Sequence, residues 1–219
     1  MVMPIDSAAP KGRIILPQVQ LLRDCLDHHF TAVCCQTEEL SKTLENLPSI
    51  DLVITDSQAF AKVNQIVPRK IPLTSFSILM ARKKGSLSAL IEGTNTIEKL
   101  KPGDKILMLE GCTHNQTHED IGRVKIPALL QKKTGAKLNF DFFSGYQFPE
   151  NLADYAFAIQ CGSCMLNESE VKNRMKKMKQ AALPVTNYGM CLAILSGAWN
   201  RCKLFLEGAT DENSADDSR

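Results

Sequence analysis

The sequence predicts an α/β fold of two small domains, each a mainly parallel β-sheet flanked by helices. Short apolar runs alternate with stretches in which apolar residues recur every three or four positions. This alternation is typical of parallel strands joined by crossover helices. The alternation is interrupted by a mostly helical stretch at residues 73–100 and then resumes. The 219 residues are therefore expected to form two sheets rather than one.

The first domain is predicted to cover residues 1–72. After an opening segment without periodicity, strands are expected at 13–16, 31–36 and 52–55, and a helix follows each of them. Pro17 suits the first turn of the first helix, and Thr37 can cap the second. The third helix begins near residue 59 and ends before Pro68. About 70 residues is a small basis for an independent core, which favours a partner subunit covering part of this domain.

The second domain is predicted to cover residues 73–208, with a helical connector at 73–100. The acidic tail at 209–219 is expected to be disordered, because it lacks large apolar residues. Asn167 and Glu170 resemble a capping box that opens a basic helix. The expected strands are 105–109, 138–143, 155–159 and 184–187, and the expected helices are 126–134, 167–182 and 189–206.

Composition excludes several functional classes. The formal net charge is +2 and the charged fraction is 23%, so neither nucleic acid nor a membrane surface is expected as a partner. No apolar run approaches the length of a membrane span, and no signal peptide is visible. The expected location is the cytoplasm. The eight cysteines are therefore expected to be reduced, and some of them to bind metal.

Three cysteines directly follow predicted strands. Cys112 follows the strand that ends near Leu109, and Cys161 and Cys164 follow the strand that ends near Ile159. Because ligands of parallel sheets collect at the carboxyl ends of the strands, these thiols are expected to meet at one sheet edge.

This arrangement suits a metal centre. Three thiolates with one open position are typical of an iron–sulfur cluster that can bind a further group. Gly111 and Gly162 allow close backbone approach, and the helix that begins near Asn167 favours anionic groups at its start.

Two other chemistries fit the same residues. Cys161 and Cys164, placed between a strand and a helix, also resemble the redox pair of a thiol–disulfide oxidoreductase. A structural zinc site could use these two cysteines with Cys112 and either His114 or His118.

The remaining cysteines are interpreted as core residues. They lie on predicted helix faces or inside a predicted strand, where cysteine usually packs as a small apolar residue. They are Cys25, Cys34, Cys35, Cys191 and Cys202.

Several segments, in this order, resemble the HydF family, the scaffold proteins of [FeFe]-hydrogenase maturation. The resemblance covers residues 4 to about 206. It rests on the segments that begin Pro4-Ile-Asp-Ser, Thr55-Asp-Ser-Gln, Pro72-Leu-Thr-Ser, Cys112-Thr-His, Asp120-Ile-Gly-Arg, Cys161-Gly-Ser-Cys and Pro184-Val-Thr-Asn.

The resemblance implies a middle dimerisation domain and a C-terminal domain that binds a [4Fe-4S] cluster. It implies a homodimer that receives a two-iron subcluster precursor with the help of radical-SAM maturation enzymes and delivers it to apo-[FeFe]-hydrogenase. It also implies Cys112, Cys161 and Cys164 as cluster ligands, with His114 as the motif's remaining histidine.

The sequence departs from the family pattern in two ways. Gln160 stands where the motif has a histidine, which removes one possible fourth ligand. No phosphate-binding loop of the GTPase domain is found, so the chain is expected to be a carrier and not an enzyme. Its start, directly before the middle-domain signature, is interpreted as a truncation.

Overall fold

The computed structural model describes residues 1–6, 9, 11–85, 87–111, 121–203 and 206. The predicted fold class is confirmed, because two parallel sheets are flanked by helices. The chain forms two compact units. Unit 1 comprises residues 1–76 and the described residues from 196 onward, and unit 2 comprises residues 77–195.

Unit 1 is built around a two-stranded parallel sheet. Strand β1 pairs with β2, with Val53 opposite Leu73 and Thr55 opposite Ser75. The N-terminal segment adds to this sheet, because Val2 is buried and forms single parallel bridges with Cys35 and Thr55. The elements are α1 (Leu16–Asp27), α2 (Leu40–Asn46), β1 (Val53–Thr55), α3 (Phe60–Ile66) and β2 (Leu73–Ser75).

Several predictions for unit 1 were wrong. Residues 13–16 and 31–36, all of them described, form no strand apart from the bridge at Cys35. Ile14 and Val33 are exposed, so these runs lack the buried face that stabilises a strand. Thr37 does not cap α2, whose N-cap position is Glu39. Residues 73–75, expected to be part of the helical connector, form β2.

Unit 2 contains a four-stranded parallel sheet in the order β4-β3-β5-β6. Helix α4 begins at Phe76, and a 3₁₀ segment (Thr94–Lys99) and one π-helical turn (Ile121–Lys125) accompany the helices. The elements are α4 (Phe76–Lys84), α5 (Leu87–Gly93), β3 (Lys105–Glu110), α6 (Ile126–Thr134), β4 (Asn139–Ser144), β5 (Phe157–Gln160), α7 (Glu168–Gln180), β6 (Val185–Asn187) and α8 (Tyr188–Leu195).

Two helices of this half differ from their predictions. Asn167 caps α7 by accepting the Glu170 N–H at 2.8 Å, but the Glu170 carboxylate binds Arg174 and does not complete a capping box. The predicted helix 189–206 is interrupted after α8, where Gly197 adopts a φ of 73°. Such a left-handed backbone ends a helix and is easily reached only by glycine. The predicted tail at 209–219 lies outside the described residues.

The core of unit 2 is the pair β3 and β5. Residues 106–109 and 157–159 are fully buried. Parallel strands that are covered on both faces have continuous apolar sequences. For this reason β3 and β5 were predictable. The strands end together at one edge of the sheet. In the described part of the chain, no helix is long and apolar enough to cross a membrane.

Candidate metal centre

The loops after β3 and β5 meet at the carboxyl edge of the sheet. Leu109 pairs with Gln160, and the Cys161 N–H donates to the Leu109 carbonyl at 2.8 Å. One residue further on, the Gly111 N–H donates to Cys161 Sγ at 2.9 Å. The expectation that these two strand ends come together is therefore confirmed for Gly111 and Cys161.

The Cys161 sulfur lies in a cradle of backbone N–H groups. It accepts from Gly111 and, at 3.3 Å, from the Ser163 N–H. A Cβ on residue 111 would lie 3.3 Å from this sulfur and 3.2 Å from Ser163 Cα, so glycine allows the close approach. Ser163 is buried and has a φ of 53°, a left-handed conformation that costs a non-glycine residue energy. N–H donors directed at a sulfur favour its thiolate form, as a metal ligand requires.

Three of the predicted site residues lie outside the part of the chain that the structure describes. Cys112, His114 and His118 fall in 112–120, outside the described residues. Cys112 follows Gly111 directly in the chain. In the part of the chain that is described, no three Cys, His, Asp or Glu side chains are grouped to hold a metal.

Both ends of the segment between β3 and the π-helical turn are fixed. At one end, the buried Glu110 carboxylate accepts from Arg123 at 2.8 Å and from the Ser144 hydroxyl at 2.6 Å. At the other end, Gly122 lies against Tyr188 so closely that a Cβ would overlap the phenol ring. The ion pair thus joins the two ends of this segment at the sheet edge where Cys161 lies.

Gln160 has a separate environment from its neighbour Cys161. Its side chain is 3% exposed and its amide donates to Met175 Sδ in α7 at 3.7 Å. Neighbouring residues of a strand point to opposite faces of the sheet. The glutamine that replaces the motif's histidine is thus packed against α7.

Lys84 holds the loop that carries Cys161 and Cys164. Its ammonium, at the end of α4, donates to the carbonyl oxygens of Ser163, Cys164 and Leu166 at 2.9, 3.0 and 2.9 Å. These contacts use all three donors of an ammonium group. At the start of the same helix, a Cβ on Gly162 would lie 3.3 Å from Ser77 Oγ. Helix α4 therefore lies along the loop.

The Cys161 thiol lacks the lowered pKa that is typical of a redox nucleophile. Cys161 and Cys164 are half-buried and form no disulfide. Burial raises the pKa of the Cys161 thiol, although its N–H partners Ser163 and Gly111 act in the opposite direction. A nucleophilic redox cysteine needs a lowered pKa. The environment of Cys161 therefore suits a metal ligand, whose proton is displaced on binding, better than a redox nucleophile.

We expect Cys161 in the metal-free protein to alkylate slowly at pH 7 and about tenfold faster per pH unit up to pH 9, because only the thiolate reacts. Its ordinary pKa is 9.0 and burial raises that pKa. Iodoacetamide labelling followed by peptide mass spectrometry measures this rate. Cys34, which is exposed, serves as a reactive reference in the same sample. Labelling of Cys161 at pH 7 that outpaces Cys34 would favour the oxidoreductase alternative.

The other five cysteines divide into two groups. Cys191 and Cys202 are buried, and burial raises the pKa of each thiol to about 12, as suits core residues. The prediction of core packing was wrong for Cys34, which is exposed, and only partly right for Cys25 and Cys35, which are half-buried. For Cys34 and Cys35 the reason is that 31–36 is not a buried strand.

Sequence analysis missed the residues that support the cysteine loops. A charged residue at the end of an apolar strand was a usable signal for Glu110. Nothing in the sequence connects Lys84 with Ser163, because they are 79 positions apart. Arg123 belongs to the Asp120-Ile-Gly-Arg segment, but the sequence gave no sign of its ion pair with Glu110.

Two family models match the chain. The hydrogen maturase F dimerization domain matches residues 1–85, and the hydrogen maturase F tetramerization domain matches residues 88–203. A comparison with curated proteins gave no match. The α/β fold and the matched domains define an oligomerising protein of the scaffold class that serves hydrogenase maturation. The chain belongs to the hydrogen maturase F (HydF) family, as the sequence motifs predicted.

Proposed function

We propose that this protein carries a [4Fe-4S] cluster on Cys112, Cys161 and Cys164. The observation that supports this most directly is the 2.9 Å hydrogen bond from Gly111 to Cys161 Sγ, because Gly111 is the residue before Cys112. The donor set fits the group: thiolates are the usual ligands of iron–sulfur clusters, and N–H groups directed at the sulfur tune them.

The fourth position is proposed to be exchangeable. When bound, the cluster would supply one iron site open to an added ligand. Gln160 is packed against Met175 in α7, and His114 remains the motif's only histidine. We propose His114 as the labile fourth ligand. Pulsed EPR of the reduced cluster tests this proposal, and the absence of a strongly coupled imidazole nitrogen would exclude His114.

The cargo is proposed to be the two-iron subcluster precursor of [FeFe]-hydrogenase. In this proposal the protein receives it with the help of radical-SAM maturation enzymes and passes it to the apo-hydrogenase. The protein is then a carrier rather than a catalyst, because its residues bind and release a group without transforming it. Family membership is the support for these partners.

Metal analysis after anaerobic reconstitution with iron and sulfide tests the cluster. The proposal expects iron together with acid-labile sulfide and a brown chromophore. Zinc without sulfide would favour the structural zinc site, and a colourless protein that reduces insulin disulfides would favour the oxidoreductase. A Cys112→Ser variant that keeps a normal cluster would contradict the proposed ligand set.

We also propose that unit 1 forms a homodimer. The dimerization model matches residues 1–85, which include residues 1–76 of this unit, and the first 33 residues expose a group of large apolar side chains. Light scattering at micromolar concentration should give at least twice the chain mass, and a monomeric mass would contradict the proposal. The exposed side chains are Ile5, Ile14, Leu16, Val19, Leu26, Phe30 and Val33.

A further inference from the structure

The loop between β5 and α7 has a defined orientation of its polar backbone groups. The carbonyls of Ser163, Cys164 and Leu166 converge on the Lys84 ammonium. The Ser163 N–H points instead to Cys161 Sγ. The loop thus directs acceptors to the lysine and a donor to the sulfur.

Ser163 connects these two sets of contacts. Its N–H donates to Cys161 Sγ, its hydroxyl donates to the Cys161 carbonyl at 3.3 Å, and its carbonyl accepts from both Lys84 and the Leu166 N–H. It holds a φ of 53°, which a free loop would relax. The lysine is therefore one of the contacts that keep the donor aimed at the sulfur.

Lys84 also brings charge to the loop. A three-thiolate site with an iron–sulfur cluster is anionic, and a nearby cation stabilises its more negative, reduced state. Hydrogen-bonding partners of metal ligands tune both affinity and potential. Lys84 belongs to a different element from the cysteines and donates to backbone carbonyls of their loop.

We propose that Lys84 is a positioning residue for the cluster: it fixes the Cys161–Cys164 loop and sets the potential of the group bound there. This inference rests on the proposed function for the cluster, but its effect on the loop can be measured without metal. Lys84 acts through Ser163 and is not itself a ligand.

The test compares three variants of the full chain after anaerobic reconstitution. Lys84→Met removes charge and hydrogen bonds, and Lys84→Arg keeps the charge. Lys83→Met is the matched control, because Lys83 is the neighbouring exposed lysine of α4. The measurements are the rate of iron loss to a ferrous chelator, the midpoint potential from an EPR titration, and alkylation of Cys164 in metal-free protein.

We expect Lys84→Met to lose iron about 10–100-fold faster, the range typical of lost outer partners of metal ligands. Its midpoint potential should become more negative, because the reduced cluster loses a stabilising charge. Lys84→Arg should restore the potential more fully than the iron-loss rate, since a planar guanidinium cannot reproduce three converging bonds. Lys83→Met should match the wild type. In metal-free Lys84→Met, Cys164 should alkylate faster.

Other outcomes separate this inference from the proposed function. A wild-type protein that binds a cluster, with Lys84→Met equal to it in all three measurements, overturns the role of Lys84 and leaves the cluster proposal standing. Equal shifts in Lys83→Met and Lys84→Met also overturn it. If the wild type binds no cluster, the proposed function fails. If, in addition, Cys164 of metal-free Lys84→Met alkylates at the wild-type rate, the proposal that Lys84 fixes the loop fails as well. If circular dichroism shows that Lys84→Met is unfolded, Lys84→Gln takes its place in all three measurements.

Discussion

Replacing Cys161 by serine is expected to remove most of the bound iron and sulfide from the reconstituted protein. The Cys161 sulfur is the described point where the loops after β3 and β5 meet, and it accepts N–H groups from both loops. A serine hydroxyl can keep these hydrogen bonds but is a poor ligand for iron–sulfur clusters, which select soft thiolates. The fold should therefore survive while the site is lost.

Iron and sulfide analysis, with the visible and EPR spectra, measures this loss. Cys34→Ser is the matched control, because Cys34 is exposed and belongs to unit 1. The control should bind iron and sulfide like the wild type. A Cys161→Ser variant with full iron and sulfide content and an unchanged EPR signal would show that Cys161 is not a ligand.

Replacing Arg123 by methionine is expected to lower the free energy of unfolding by about 3 kcal/mol, because removing one partner leaves a buried charge uncompensated. Glu110 is 5% exposed, and Arg123 supplies its ion pair while the Ser144 hydroxyl supplies a further hydrogen bond. The same change removes the ion pair that joins the two ends of the segment that contains Cys112. Reconstituted Arg123→Met should therefore also lose iron to a chelator faster than the wild type.

Urea unfolding followed by circular dichroism measures the stability change. Arg123→Lys keeps the positive charge and should recover part of the loss. The control is Lys172→Met, which breaks the ion pair with Glu168 on the surface of α7. Exposed pairs contribute about 0.2–1 kcal/mol, so this change should be small. An Arg123→Met protein as stable as Lys172→Met would contradict the structural role of the buried pair.

The two central strands of unit 2, β3 and β5, were predictable because they are buried on both faces. Residues 106–109 and 157–159 therefore form continuous apolar runs that indicate strands directly. In unit 1 the same reasoning failed for 31–36. That run has an apolar composition, but among the described residues it makes a single bridge, to Val2, and it exposes Val33. Composition could not show that no buried face exists there.

The prediction of one long helix at residues 189–206 failed for a different reason. Residues 189–206 have the apolar content of one long helix, but Gly197 adopts a left-handed backbone and α8 ends at Leu195. A glycine inside an apolar helical pattern is tolerated in some proteins and ends the helix in others. Tertiary packing decides whether the helix continues through the glycine or ends there, and the sequence pattern is the same in both cases.

By itself, the sequence determined the α/β class, the family and the meeting of two strand ends at one sheet edge. These follow from local patterns and from the geometry of parallel sheets, in which all strands end at the same side. The tertiary structure decided which groups surround Cys161: the N–H of Gly111, the strained Ser163 and the ammonium of Lys84. Their contacts join residues up to 82 positions apart. Such contacts arise from how helices and strands pack, and a pattern of neighbouring residues carries no record of them.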